Sequence, residues 1–127
     1  MSVWFWVGLG GALGASSRYA ITTLVSAQGF ASNSGFPWST LVVNIVGSCL
    51  IGFTIAVVGQ SNWFNEFGRA FLVTGVLGGF TTFSAFSLEV VQLIQTGYSG
   101  VAFAYILASV IVCVVGAFAG LVMGSWL

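Results

Sequence analysis

Only four of the 127 side chains carry charge, Arg18, Arg69, Glu66 and Glu89, and this constrains the fold more than any other feature. A soluble domain covers itself with roughly a quarter charged residues, whereas here the whole chain has 3%. A water-soluble globule is therefore excluded. Nucleic-acid binding is excluded as well, since it needs a basic face. No histidine is present and the two cysteines are far apart, so ordinary zinc and transition-metal sites are not available. An integral membrane protein is what such a chain can be.

A membrane-crossing helix needs about 20 mainly apolar residues. The chain divides into four such runs in a single domain, 1–127, with helices expected over 3–26, 39–58, 67–95 and 99–126. Polar punctuation separates them at residues 28–35 with Pro37, at 59–66 and at 96–100. The runs are continuous rather than alternating, which argues against the strands of a membrane barrel. The expected class is all-α, integral membrane, with four transmembrane helices. All five tryptophans (Trp4, Trp6, Trp38, Trp63 and Trp126) fall at expected helix ends or in a linker, where amphipathic rings settle at the headgroup level. The first helix does not read as a cleaved leader, because no positive residue precedes its apolar stretch and Arg18 follows it.

Lys and Arg in short loops normally set orientation, and only Arg18 and Arg69 exist. If the first and third helices run the same way, the two arginines sit at opposite membrane faces and the bias nearly cancels. Such a chain is expected to insert both ways, and two opposed copies could pair. Gly10 and Gly14, and Gly116, Gly120 and Gly124, recur at four-residue spacing. That spacing allows close helix packing in lipid, either within one subunit or between two. Cys49 and Cys113 lie mid-span and read as small packing residues rather than a disulfide.

Helix 3 departs from the pattern at its centre with Gly78-Gly79-Phe80-Thr81-Thr82, and its apolar stretch is longer than one span needs. This predicts a broken helix with free carbonyls and amides, tolerated at that depth only when buried in protein or lining a cavity, often as an ion site. A packing kink is the plainer alternative. Polar side chains line up on other helices: Thr40, Asn44 and Ser48 step by four, as do Ser109 and Cys113, with apolar Ala117 next. An asparagine at that depth can also be interhelical glue. Phe83, Phe86 and Glu89 step by three on a drifting stripe, with Ser84 between the rings. A ring's electropositive edge can meet an anion. Glu89, a carboxylate within a span, is a functional candidate by default; its structural reading is a carboxyl bonded to a hydroxyl or paired with Arg18.

The run from Gly78 to Ser87 resembles the central motif of the Fluc (CrcB) fluoride channels. So do Gly11-Ala12-Leu13-Gly14 with Arg18, and Ser39-Thr40-Leu41-Val42-Val43-Asn44 with Gly47. The resemblance implies passive, selective export of fluoride by an antiparallel, dual-topology homodimer with two pores, multi-pass in the cell inner (plasma) membrane, with no nucleic acid as partner. It implies that Phe83 and Phe86 line the pores, that Asn44 is a pore amide, and that Ser84 is a hydroxyl beside the rings. Ser109 and Cys113 would form the helix 4 polar track, and Glu89 an acidic position near one pore end. Arg18 would be the helix 1 arginine. Carbonyls of Gly78 and Thr81 from both subunits would hold a structural Na⁺. Two departures stand out: Ala85 and Ala117 replace threonines common in the family, each removing a hydroxyl. The alternative from another class is a small four-helix proton-coupled multidrug transporter, for which Glu89 would have to be the exchanging acid.

Overall fold

In a lipid setting, an apolar run can satisfy its own backbone N–H and C=O groups only by coiling into a helix. The computed structural model describes residues 2–28, 35–59, 64 and 66–127, and among these there are helices and no strands. Helix α1 is Val3–Ala27 and α2 is Trp38–Val58. A third helical run is composite. It comprises α3 (Glu66–Arg69), a π-helical stretch (Ala70–Leu77), α4 (Gly78–Phe80) and α5 (Phe83–Gln95). Helix α6 is Ser99–Gly124. Residues 29–34, 60–63 and 65, and so most of two expected linkers and Trp63, lie outside the described residues.

Three of the helical runs are long and apolar enough to cross a membrane: Trp38–Val58, Glu66–Gln95 and Ser99–Gly124. The 25-residue α1 has the length but not the same hydropathy. Its four glycines, Ser16, Ser17 and Arg18 dilute the apolar content. The outward faces of the apolar runs are what a bilayer expects, since Val110, Val114, Val115 and Phe118 of α6 are all exposed.

Helix ends follow local chemistry. Pro37, which has no N–H to lose, precedes the first residue of α2. Gly97, at φ +86°, stops α5. There the Tyr98 N–H bonds the Leu93 carbonyl at 2.8 Å and the Gly97 N–H bonds Ile94 at 3.1 Å. These are the paired 6→1 and 5→2 bonds of a Schellman end, which needs a residue free to take positive φ.

Packing sorts the helices into two pairs. Helix α1 lies against the π-helical stretch and α4, and α2 lies against α6. Both contacts are glycine-permitted close approaches within this one chain. A Cβ at Gly14 would overlap the Val76 carbonyl, and one at Gly120 the Cys49 carbonyl. The buried core gathers Leu41 of α2, Phe86 and Leu93 of α5, and Ala102 and Tyr105 of α6. It therefore sits beside the point where the third run stops being helical.

Candidate functional site

Thr81 (φ −78°, ψ 159°) and Thr82 (φ −150°, ψ 116°) are both extended, between α4 and α5. The glycines before them are not the non-helical residues, for Gly78 is helical at φ −66°, ψ −36°. Side chains take over the backbone bonding at this point. The Thr82 hydroxyl caps α5 by accepting the Ala85 N–H at 3.1 Å, the usual N-cap arrangement. Asn44 reaches across from α2 and takes both backbone groups of Thr82. Its Oδ1 accepts the Thr82 N–H at 2.8 Å, and its Nδ2 donates to the Thr82 carbonyl at 3.0 Å. Gly47, one turn further along α2, allows this proximity, because a Cβ there would strike the Thr81 methyl group.

Beside the extended pair is a cleft of about 470 Å³. Asn44 and Ser48 line it from α2, Ser109 and Cys113 from α6, and Gly78, Thr81, Phe83 and Phe86 from the third run. The two phenyl rings are 5.4 Å apart at 44°. Phe86 is buried against Tyr105, with centroids 5.1 Å apart, whereas Phe83 is 77% exposed. Ser109 is buried, and its hydroxyl has no hydrogen-bond partner among the described residues. An unmade bond on a buried hydroxyl costs about 1–3 kcal/mol, so such a group calls for a reason.

A second cavity, about 370 Å³, is lined by Arg18 and Thr22 of α1, Thr40 of α2, and Ala85 and Glu89 of α5. Thr82 belongs to the walls of both cavities. Both oxygens of Glu89 are taken by hydroxyls rather than by Arg18. Thr40 donates to Oε1 at 2.6 Å and Tyr105 to Oε2 at 2.7 Å. Three helices thus converge on one carboxyl group, and Tyr105 is fully buried there.

Of the residues singled out in the sequence, the first cleft brings together Phe83, Phe86, Asn44, Ser109, Cys113, Gly78 and Thr81. Ser84 is not on its wall; it is exposed, with its hydroxyl 3.3 Å from that of Thr82. Glu89 and Arg18 meet instead in the second cavity. Sequence reasoning missed Tyr105 and the capping role of Thr82. Tyr105 was within reach, since it lies one turn before Ser109 on the line that continues to Cys113.

Comparison with known proteins gives a consistent result. A family model described as "CrcB-like protein, Camphor Resistance (CrcB)" matches residues 5–121. A protein of Agrobacterium fabrum named "Fluoride-specific ion channel FluC" is 47% identical over 118 residues, covering 93% of this chain and 92% of its own. Proteins of the same name from Opitutus terrae and Deinococcus radiodurans are 44% and 42% identical. They cover 94% and 97% of this chain, and 90% and 95% of their own lengths.

Proposed function

The chain belongs to the CrcB-like family, and from that premise we propose that it is a fluoride-selective channel exporting F⁻ passively from the cytoplasm. It is a multi-pass membrane protein and a channel rather than an enzyme. The names of its relatives support fluoride as the transported ion. The observation that carries the reading is the cleft at the helix interruption, lined by Phe83, Phe86 and Ser109, whose buried hydroxyl has no hydrogen-bond partner among the described residues.

Fluoride is small and strongly hydrated, so a pathway must replace its water with closely spaced donors, as a filter does. Ser109 offers a buried hydroxyl with no hydrogen-bond partner among the described residues. Ser48 and Cys113 extend the polar line along the cleft, and phenyl edges add weakly positive contact. None of these groups carries a fixed charge, which suits an ion that must leave as readily as it arrives. Arg18 in the neighbouring cavity supplies positive charge near one end, and Glu89 is held out of play by its two hydroxyl partners. That bonding speaks against Glu89 as the exchanging acid of a drug–proton antiporter.

The working unit is an antiparallel, dual-topology homodimer with two pores, multi-pass in the plasma membrane, with α1 as a fourth crossing helix. Exposed Phe83 and Gly78 are then the surface that the second copy covers. A structural Na⁺ fits the chemistry of this chain. Among the described residues no cluster of His, Cys, Asp or Glu could hold a metal ion, so the donors would be backbone oxygens, the hard ligands an alkali cation takes. Gly78 and Thr81 flank the point where helical bonding ceases. Gly78 is open, a Cβ there meeting only the Val73 carbonyl at 3.6 Å. When bound, the cation supplies a positive charge that offsets the cost of a nearby anion, by up to about 4 kcal/mol at 4 Å and an effective dielectric of 20.

The cellular logic follows from acid–base chemistry. HF enters as a neutral acid and ionises in the neutral cytoplasm, and the trapped anion leaves downhill. A negative-inside potential adds about 2.3 kcal/mol per charge per 100 mV. The test is efflux from liposomes containing the purified protein. Fluoride loss without any proton gradient or counter-transported cation is expected. Exchange of an organic cation for protons, with no fluoride flux, would replace this reading by the antiporter.

A further inference from the structure

We infer that Asn44 and Thr82 are the positioning residues that free the carbonyls of Gly78 and Thr81 for a cation, by taking the amide hydrogens those carbonyls would otherwise accept. The inference rests on the cation reading above and adds what creates the site. In a continuous α-helix the N–H of each residue bonds the carbonyl four residues earlier. The Gly78 carbonyl would thus accept from Thr82, and the Thr81 carbonyl from Ala85. Both donors are diverted. The Thr82 N–H goes to Asn44 Oδ1 at 2.8 Å, and the Ala85 N–H goes to Thr82 Oγ1 at 3.1 Å. The residue just before still behaves normally, since the Thr81 N–H bonds the Leu77 carbonyl at 3.0 Å.

Two side-chain oxygens therefore substitute for two main-chain oxygens, one for one. The second bond from Asn44, Nδ2 to the Thr82 carbonyl at 3.0 Å, occupies that neighbouring oxygen and locks the amide in place. The clamp thus diverts the helical donors of the Gly78 and Thr81 carbonyls and gives the Thr82 carbonyl a donor of its own. It comes from a different helix, 38 residues away in sequence, so the site depends on how α2 docks and not on the Gly78-Gly79 pair alone. Asn44 then has two separable duties. Its Oδ1 shapes the cation site, while its remaining Nδ2 hydrogen is the one left for the pathway.

The test measures binding of radiolabelled Na⁺ to purified full-length protein, alongside the rise of its thermal midpoint with Na⁺ relative to choline, since a ligand of the folded state stabilises it. Thr82→Ser keeps the capping oxygen and is expected to match the parent protein. Thr82→Val and Asn44→Leu lose the diverting oxygens, and the half-saturating Na⁺ concentration should rise about tenfold or more, as when a group that orients a metal ligand is removed. Asn44→Asp retains an acceptor for the Thr82 N–H but loses the donor to the Thr82 carbonyl, so it should lose fluoride flux while keeping more of the cation binding than Asn44→Leu. Unchanged Na⁺ binding in Thr82→Val and Asn44→Leu would overturn the inference and leave the cation reading standing. No Na⁺ response in the parent protein would remove both. If Asn44→Leu does not fold, the Thr82→Val and Thr82→Ser pair decides the matter alone.

Discussion

Replacing Ser109 by alanine separates folding from conduction, because the two effects should have opposite signs. The hydroxyl is buried and has no hydrogen-bond partner among the described residues, so it is a cost to the folded chain of up to about 1–3 kcal/mol. Its removal leaves a void of one oxygen and should hold or raise the thermal midpoint. Ser109 is also among the residues that line the cleft with Phe83 and Phe86. A hydrogen bond to a charged partner contributes about 1.5–3 kcal/mol. Losing one from a permeating anion should slow flux about 10- to 150-fold, at 1.36 kcal/mol per factor of ten. The assay pairs fluoride-electrode efflux from liposomes of matched protein density with thermal unfolding of the same preparation. A clear fall in midpoint would mean that Ser109 has a structural partner. Undiminished flux would mean that its hydroxyl is off the pathway, and either result refutes the reasoning.

Other substitutions test neighbouring parts of the account. Phe83 is largely exposed, so Phe83→Ile should abolish fluoride flux while the protein still elutes as the assembled species; normal flux would contradict its place on the rim. Tyr105→Phe leaves Glu89 Oε2 without its donor in a buried setting and should cost about 1–3 kcal/mol of stability, read as a lower thermal midpoint. Gly14→Val should prevent accumulation of folded protein, because its Cβ meets the Val76 carbonyl. Gly78→Leu has room within the chain, so it should yield folded protein whose thermal midpoint no longer rises with Na⁺.

Much of the helical layout was legible in the residues. The long apolar runs became helices, and Gly97, in the polar stretch after residue 95, became the Schellman end that separates α5 from α6. The residues pointed to Gly78–Thr82 as the irregular region of the third run without saying which of them leave helical geometry. Gly78 and Gly79 drew attention, yet the extended residues are Thr81 and Thr82, where an amide from α2 takes both backbone groups of Thr82, a contact that no local propensity encodes. The π-helical stretch over Ala70–Leu77 has no local signature, since Val, Leu, Thr and Ala serve an α-helix as well. Glycine spacing left open whether Gly10, Gly14, Gly120 and Gly124 pack within one chain or between two. Their approach to the π-helical stretch and to α2 is internal. The carboxyl of Glu89 was legible as important, but its partners were not. Thr40 and Tyr105 reach it from helices whose mutual placement depends on the packed core.

The central claim is that a cleft without fixed charge, rimmed by aromatic edges and hydroxyls, passes fluoride and little else. Liposomes loaded with equal fluoride and chloride, and made permeable to a counter-cation, measure this directly. Fast, complete loss of fluoride with chloride retained is the predicted result. Equal loss of both halides, or retention of both, would contradict it.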